Sequence, residues 1–102
     1  MLKHCVFLNF RDDVSDVEIT EIMTGLAALT NETDGMIDMK FGPNLDYENK
    51  TPDFNYGFIA TFRDRDAHLA YEGNAQHIKL GGRLVDCCNG GHAGISVFDL
   101  SV

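Results

Sequence analysis

His4-Cys5-Val6-Phe7-Leu8-Asn9-Phe10 is the stretch on which the fold turns. Strand alternation puts His4, Val6, Leu8 and Phe10 on one face and Cys5, Phe7 and Asn9 on the other. Apolar side chains therefore lie on both faces, and such a strand needs a cover on each side.

The first cover follows at once. Ser15 and Glu18 have the spacing of a capping box, with Val14 and Ile19 at the two staple positions. Ile19, Ile22, Met23, Leu26 and Leu29 recur at helical spacing, and Asp16 and Glu18 suit the positive end of the helix dipole. Asn31 to Gly35 ends this helix. Met36 to Phe41 reads as a second strand, broken by Gly42-Pro43-Asn44, and the polar run through Asp53 reads as a loop. Tyr56 to Phe62 is a third strand, with Tyr56, Phe58, Ala60 and Phe62 on one side and Gly57, Ile59 and Thr61 on the other.

Asp64 caps a second helix expected to run to about Glu72, with Ala67, Ala70 and Tyr71 inward. Gly73-Asn74 interrupts it, and a further helical stretch from Ala75 to about Cys88 carries Ile78, Leu80, Leu84 and Val85. Asn89 to Gly94 reads as a turn, and Ile95 to Leu100 as the last strand. The order β-α-β-β-α-β predicts an α+β domain, the split βαβ arrangement, with both helices on one face of an antiparallel sheet. The other face, with Cys5, Phe7, Ile59 and Thr61, calls for a second copy of the same sheet, because twofold homodimers are the commonest soluble oligomers.

Composition narrows the functions. The 102 residues suit one domain spanning residues 1–102. The 16 acidic residues against 8 Lys and Arg give a net charge of −8, which argues against a nucleic-acid partner and against an anionic membrane surface. The apolar N-terminal run is too short for a signal peptide, and no stretch reaches membrane-spanning length, so the expected location is the cytoplasm. Cys5, Cys87 and Cys88 are odd in number and two are adjacent, which reads as reduced thiols rather than a disulfide framework. Asn31-Glu32-Thr33 and Asn49-Lys50-Thr51 match the glycosylation pattern, which has no consequence without secretion. The four histidines show no close ligand pairing, so neither a metal nor a cofactor is expected. No phosphate-binding glycine loop or nucleophile elbow occurs.

Several pieces, in order, resemble the stress-responsive A/B barrel family, the dimeric α/β-barrel domains. They are His4 to Phe10, Gly42-Pro43-Asn44-Leu45, Gly57-Phe58-Ile59-Ala60-Thr61-Phe62, Ala70-Tyr71-Glu72-Gly73-Asn74-Ala75-Gln76-His77 and Val97-Phe98-Asp99-Leu100. The resemblance implies a ferredoxin-like fold in which two subunits pack sheet against sheet into a barrel. Most members have no established activity, and some plant members are linked to stress tolerance. One plant member cyclises a linear polyketide with a histidine and a nearby tyrosine in a pocket between sheet and helices. By motif, that histidine matches His77 and that tyrosine Tyr71, while the histidine opening the first strand matches His4. The chain departs from the family pattern at Asn74, where a histidine is frequent, at Ala75, where a proline is, and at Tyr56, where the cyclase has a histidine.

His77 is the candidate for proton transfer, because imidazole alone among side chains titrates near neutrality unperturbed. Tyr71 is its candidate hydrogen-bond donor. His4, Val6, Leu8, Tyr56 and Phe58 are the candidate walls of a substrate pocket. His68 is expected to face solvent, and His92 lies in the glycine-rich turn. Two readings result. One is a homodimer of unestablished activity with a small-molecule pocket. The other is a cofactor-independent cyclase, isomerase or monooxygenase acting on a small apolar or aromatic carbonyl compound.

Overall fold

Local chemistry sets the element boundaries in the computed structural model, which covers all 102 residues. The Ser15 side chain accepts from the Glu18 N–H and starts helix α1, Asp16–Ala28, which tightens into a 3-10 turn at Leu29–Asn31. The Asp64 carboxylate accepts from the Ala67 N–H and starts α2, Arg65–Glu72. Asn74 then accepts from the N–H groups of Gln76 and His77 and starts α3, Ala75–Asp86. Each cap satisfies amide donors that the first turn of a helix leaves open. The second helical region is thus two helices joined at Gly73-Asn74.

Four strands, β1 (Leu2–Leu8), β2 (Met36–Pro43), β3 (Tyr56–Phe62) and β4 (Ile95–Ser101), form one antiparallel sheet in the order β2-β3-β1-β4. This is the ferredoxin-like βαββαβ topology. The first strand is shifted by two residues from the expected start at His4, and Phe10 makes only an isolated bridge to Cys88. A bulge between Met36 and Asp38 lets Met36 and Met39 both face the core.

The core lies between sheet and helices. Val6 and Leu8 of β1, Phe58, Ala60 and Phe62 of β3, Ile22, Met23 and Leu26 of α1, Tyr71 of α2, and Leu80 and Leu84 of α3 are buried in it. Two details of the helical faces differ from expectation. Ala70 is exposed, and Ile78 points outward as well. On α2 the buried positions are Ala67, His68 and Tyr71, a face rotated by one residue step from the one that apolarity alone suggests.

The helix-free face of the sheet is apolar. Ile59, Phe98 and Leu100 are 43%, 57% and 52% exposed there, and the Phe7 and Phe98 rings sit 5.9 Å apart. A groove of about 570 Å³ crosses this face, lined in part by Phe7, Phe54, Ile59 and Phe98. Gly42 and Gly57 face each other across β2 and β3 in the groove floor. A Cβ on Gly57 would approach the Phe7 ring to 3.1 Å, so the glycine lets that ring lie flat on the strand. No helix of the chain is long and apolar enough to cross a membrane.

Candidate functional site

At one end of the core, β1, β3, α2 and α3 bring together a group of rings. The Tyr71 ring lies 4.2 Å from the His77 ring, 5.1 Å from Phe62, 6.3 Å from His68 and 6.4 Å from His4, centroid to centroid. Phe58 lies 6.2 Å from His4. The pair Tyr71–His77 meets because α2 ends at Gly73 and α3 begins at once, folding His77 back over the last turn of α2.

The tautomers follow from which partners can only accept or only donate. His77 Nδ1 lies 3.3 Å from the Glu72 carbonyl, which can only accept, so Nδ1 carries the proton and Nε2 holds the lone pair. His4 Nδ1 lies 2.6 Å from the Asp99 carboxylate, to which it donates. The Arg65 guanidinium donates to His68 Nδ1 at 2.8 Å, so the proton of neutral His68 sits on Nε2. That Nε2 lies 3.3 Å from the Glu72 carboxylate, but without hydrogen-bond geometry, and it has no partner.

Burial sets the electrostatics. Loss of water pushes the His77 imidazole below its ordinary value of 6.5, opposed by the Glu72 carbonyl and carboxylate. Burial also pushes His68 down, reinforced by His4 and opposed by Glu72 and Asp99. Both rings are therefore neutral at pH 7. The Tyr71 phenol is pushed up by burial, stays protonated, and its hydroxyl is buried without a hydrogen-bond partner. An unpaired buried hydroxyl costs free energy in the folded chain. A neutral imidazole with a free Nε2 beside an unpaired phenol can take a proton and donate a hydrogen bond to an oxygen.

The expected wall residues spread along the sheet. His4, Val6, Leu8 and Phe58 line the helix side, and Val6, Leu8 and Phe58 are core residues in contact with other core side chains. Tyr56 packs on Phe10 at 5.5 Å and lines a separate cavity of about 440 Å³. The strand register pairs Tyr56 with Leu8 and Ala60 with His4, which sets Tyr56 roughly 13 Å from the His4 end. Neither Tyr71 nor His77 lines any of the cavities of about 400 to 620 Å³ along α1, on the open sheet face, beside Phe10 and Tyr56, between Arg11 and Arg83, and at the edge holding Leu2 and Arg65.

One expectation is reversed. His68 is 2% exposed, not solvent-facing, and its ring lies 4.6 Å from His4 and 6.3 Å from Tyr71. Its position three residues before Tyr71 was the available signal, since residues three apart share a helical face. Asp99 is the other residue missed. It stands opposite His4 in the β1–β4 register, and a carboxylate within an apolar strand was its signal. His92 lies in the turn before β4 and is exposed.

The chain is similar to a stress-response A/B barrel domain-containing protein, HS1, of Arabidopsis thaliana, at 28% identity over 79 residues, which span 78% of this chain and 72% of that protein. Its structure superposes on that of a dimeric ferredoxin-like protein of unknown function from Jannaschia sp. CCS1 with a TM-score of 0.93, at 39% identity, covering 99% of this chain and 98% of the other. It shares its fold with a hydroxynitrile lyase from Passiflora edulis, with a TM-score of 0.83 at 18% identity, covering 99% and 92% of the two chains. A sequence profile of the Stress Responsive A/B Barrel Domain matches residues 2–102. The chain belongs to the stress responsive A/B barrel domain family.

Proposed function

We propose that this chain works as a homodimer whose two open sheet faces pack together and close an α/β barrel, leaving a small-molecule site on the helix side of each sheet. The observation that carries the dimer is the exposed row Ile59, Phe98 and Leu100 on a face no helix covers. Burying apolar surface stabilises by about 25 cal/mol per Å², and a matching sheet offers the same row in return. The Jannaschia protein, described as dimeric, supports the reading. Three free, buried cysteines suit a reducing compartment, and we place the protein in the cytoplasm. Sedimentation velocity at micromolar concentration is expected to give twice the mass of the chain. A monomer with a wild-type fold would sink the reading.

The paired Tyr71 and His77 favour a second reading at the helix side, cofactor-independent proton transfer on a small apolar or aromatic carbonyl compound. His77 Nε2 would take a proton from the carbon next to the carbonyl, and the Tyr71 hydroxyl would donate to the oxygen as negative charge grows there. His4, Val6, Leu8 and Phe58, with Tyr56 farther along the strand, supply the walls. Because the ring cluster is closely packed, substrate entry requires the α2–α3 junction to part from the sheet. That a hydroxynitrile lyase uses the same fold supports an enzyme on this scaffold. The test is deuterium uptake at the α-carbon of a panel of small aromatic ketones in heavy water. Exchange catalysed by the wild type and lost in His77→Ala and Tyr71→Phe supports the reading; equal exchange with all three removes it.

A further inference from the structure

Strand β1, helix α2 and strand β4 bring His4, His68 and Asp99 to one point. One ligand-capable atom from each of the three lies within 4.8 Å of the others. We propose that these residues form a binding site for a divalent transition-metal cation of the zinc type. This site rests on neither the dimer nor the proton-transfer reading.

Several independent features support it. His68 is 2% exposed and carries an unpartnered Nε2. A buried nitrogen without a partner is rare in a native core and needs an explanation. That nitrogen carries the ring proton while Arg65 holds Nδ1, and a cation can take the proton's place only in the other tautomer. His4 Nδ1 lies 2.6 Å from the Asp99 carboxylate, so a cation can replace the proton they share and take both as ligands. The Glu72 carboxylate, 3.3 Å from His68 Nε2, is placed to complete a fourth position. Two imidazoles with carboxylates match zinc, cobalt(II) or nickel(II) better than calcium or magnesium, which prefer oxygen alone.

The charges also balance. Asp99 and Glu72 bring two negative charges against the dication, within a chain of net charge −8. The opposing charge is Arg65, whose guanidinium donates to His68 Nδ1. Ligation through His68 Nε2 moves the ring proton to Nδ1 and displaces that guanidinium. Arg65 can swing out, because its side chain is 64% exposed. In a tetrahedral zinc site neighbouring ligand atoms stand about 3.4 Å apart. The widest separation here must therefore close by roughly 1.4 Å. The Asp99 side chain, 42% exposed, has the freedom to supply that movement.

Metal-stripped full-length protein is titrated with Zn²⁺ by calorimetry, and with Co²⁺, whose visible bands report tetrahedral coordination. The expected result is one saturable equivalent per chain. His68→Gln and Asp99→Asn are each expected to weaken it by at least about tenfold, and His92→Gln to leave it unchanged. Should His68→Gln lose its helical circular dichroism, Asp99→Asn, at an exposed position, decides alone. Absence of saturable binding by either ion, or unchanged affinity in Asp99→Asn, overturns the site.

Discussion

The Tyr71 and His77 rings lie 4.2 Å apart although a helix end, a junction and a helix start separate them in sequence. Asn74 makes the approach possible. Its side chain accepts from the backbone amide of His77 itself at 3.2 Å, so the residue that starts α3 also holds the backbone that carries the imidazole. The cap and the candidate site are one local structure.

Asn74→Ala should therefore have two effects. Losing an N-cap side chain costs about 1 kcal/mol, read as a lower urea midpoint. The His77 imidazole should also lose its fixed tautomer, visible in the ¹⁵N shifts of its ring. Loss of stability with ring shifts unchanged would separate the cap from the site.

Tyr71→Phe should stabilise the fold while removing whatever the hydroxyl does. The hydroxyl is buried and makes no hydrogen bond, and relieving such a group is worth about 1–3 kcal/mol. Urea unfolding of the variant and the wild type at one pH reads this directly. A destabilised variant would mean that the hydroxyl has a structural partner after all.

Stability should fall as the solution is acidified through the range below pH 6.5. His68 and His77 are held below the ordinary histidine value of 6.5 by burial. The unfolded chain therefore binds protons first, and linkage takes stability away as pH drops from that value toward the folded one; above it the contribution is complete. Asp46 and Asp64, held below 3.8 chiefly by backbone N–H donors, act only at lower pH and leave this window to the histidines. Urea midpoints at about pH 7.5 and about pH 5.5 measure the slope. His68→Gln should flatten it, and an identical slope in that variant would remove His68 from the account.

Substitutions on the two faces of the sheet should separate folding from association. Phe62, fully buried between β3 and the helices, should cost about 3–5 kcal/mol as Phe62→Ala. Phe98→Glu, on the open face, should leave the secondary structure intact and give a monomer by sedimentation. A dimeric Phe98→Glu would place the interface elsewhere.

Much of this protein was legible from its residues alone. Capping groups, alternation and helical spacing are local signals, so Ser15, Asp64 and the run Tyr56 to Phe62 were placed correctly, and the order of elements with them. Tyr71 and His77 came from the family resemblance, through a motif that spans a single helix junction. What only tertiary structure decided is the company of His68. Apolarity turns a histidine outward on a helix, but here the rotation of α2 on the sheet places it against His4, 64 residues earlier, and near Asp99 on the strand beside it. A contact between β1, α2 and β4 depends on how three elements dock, and docking is fixed by the packing of the whole core, which no local pattern contains.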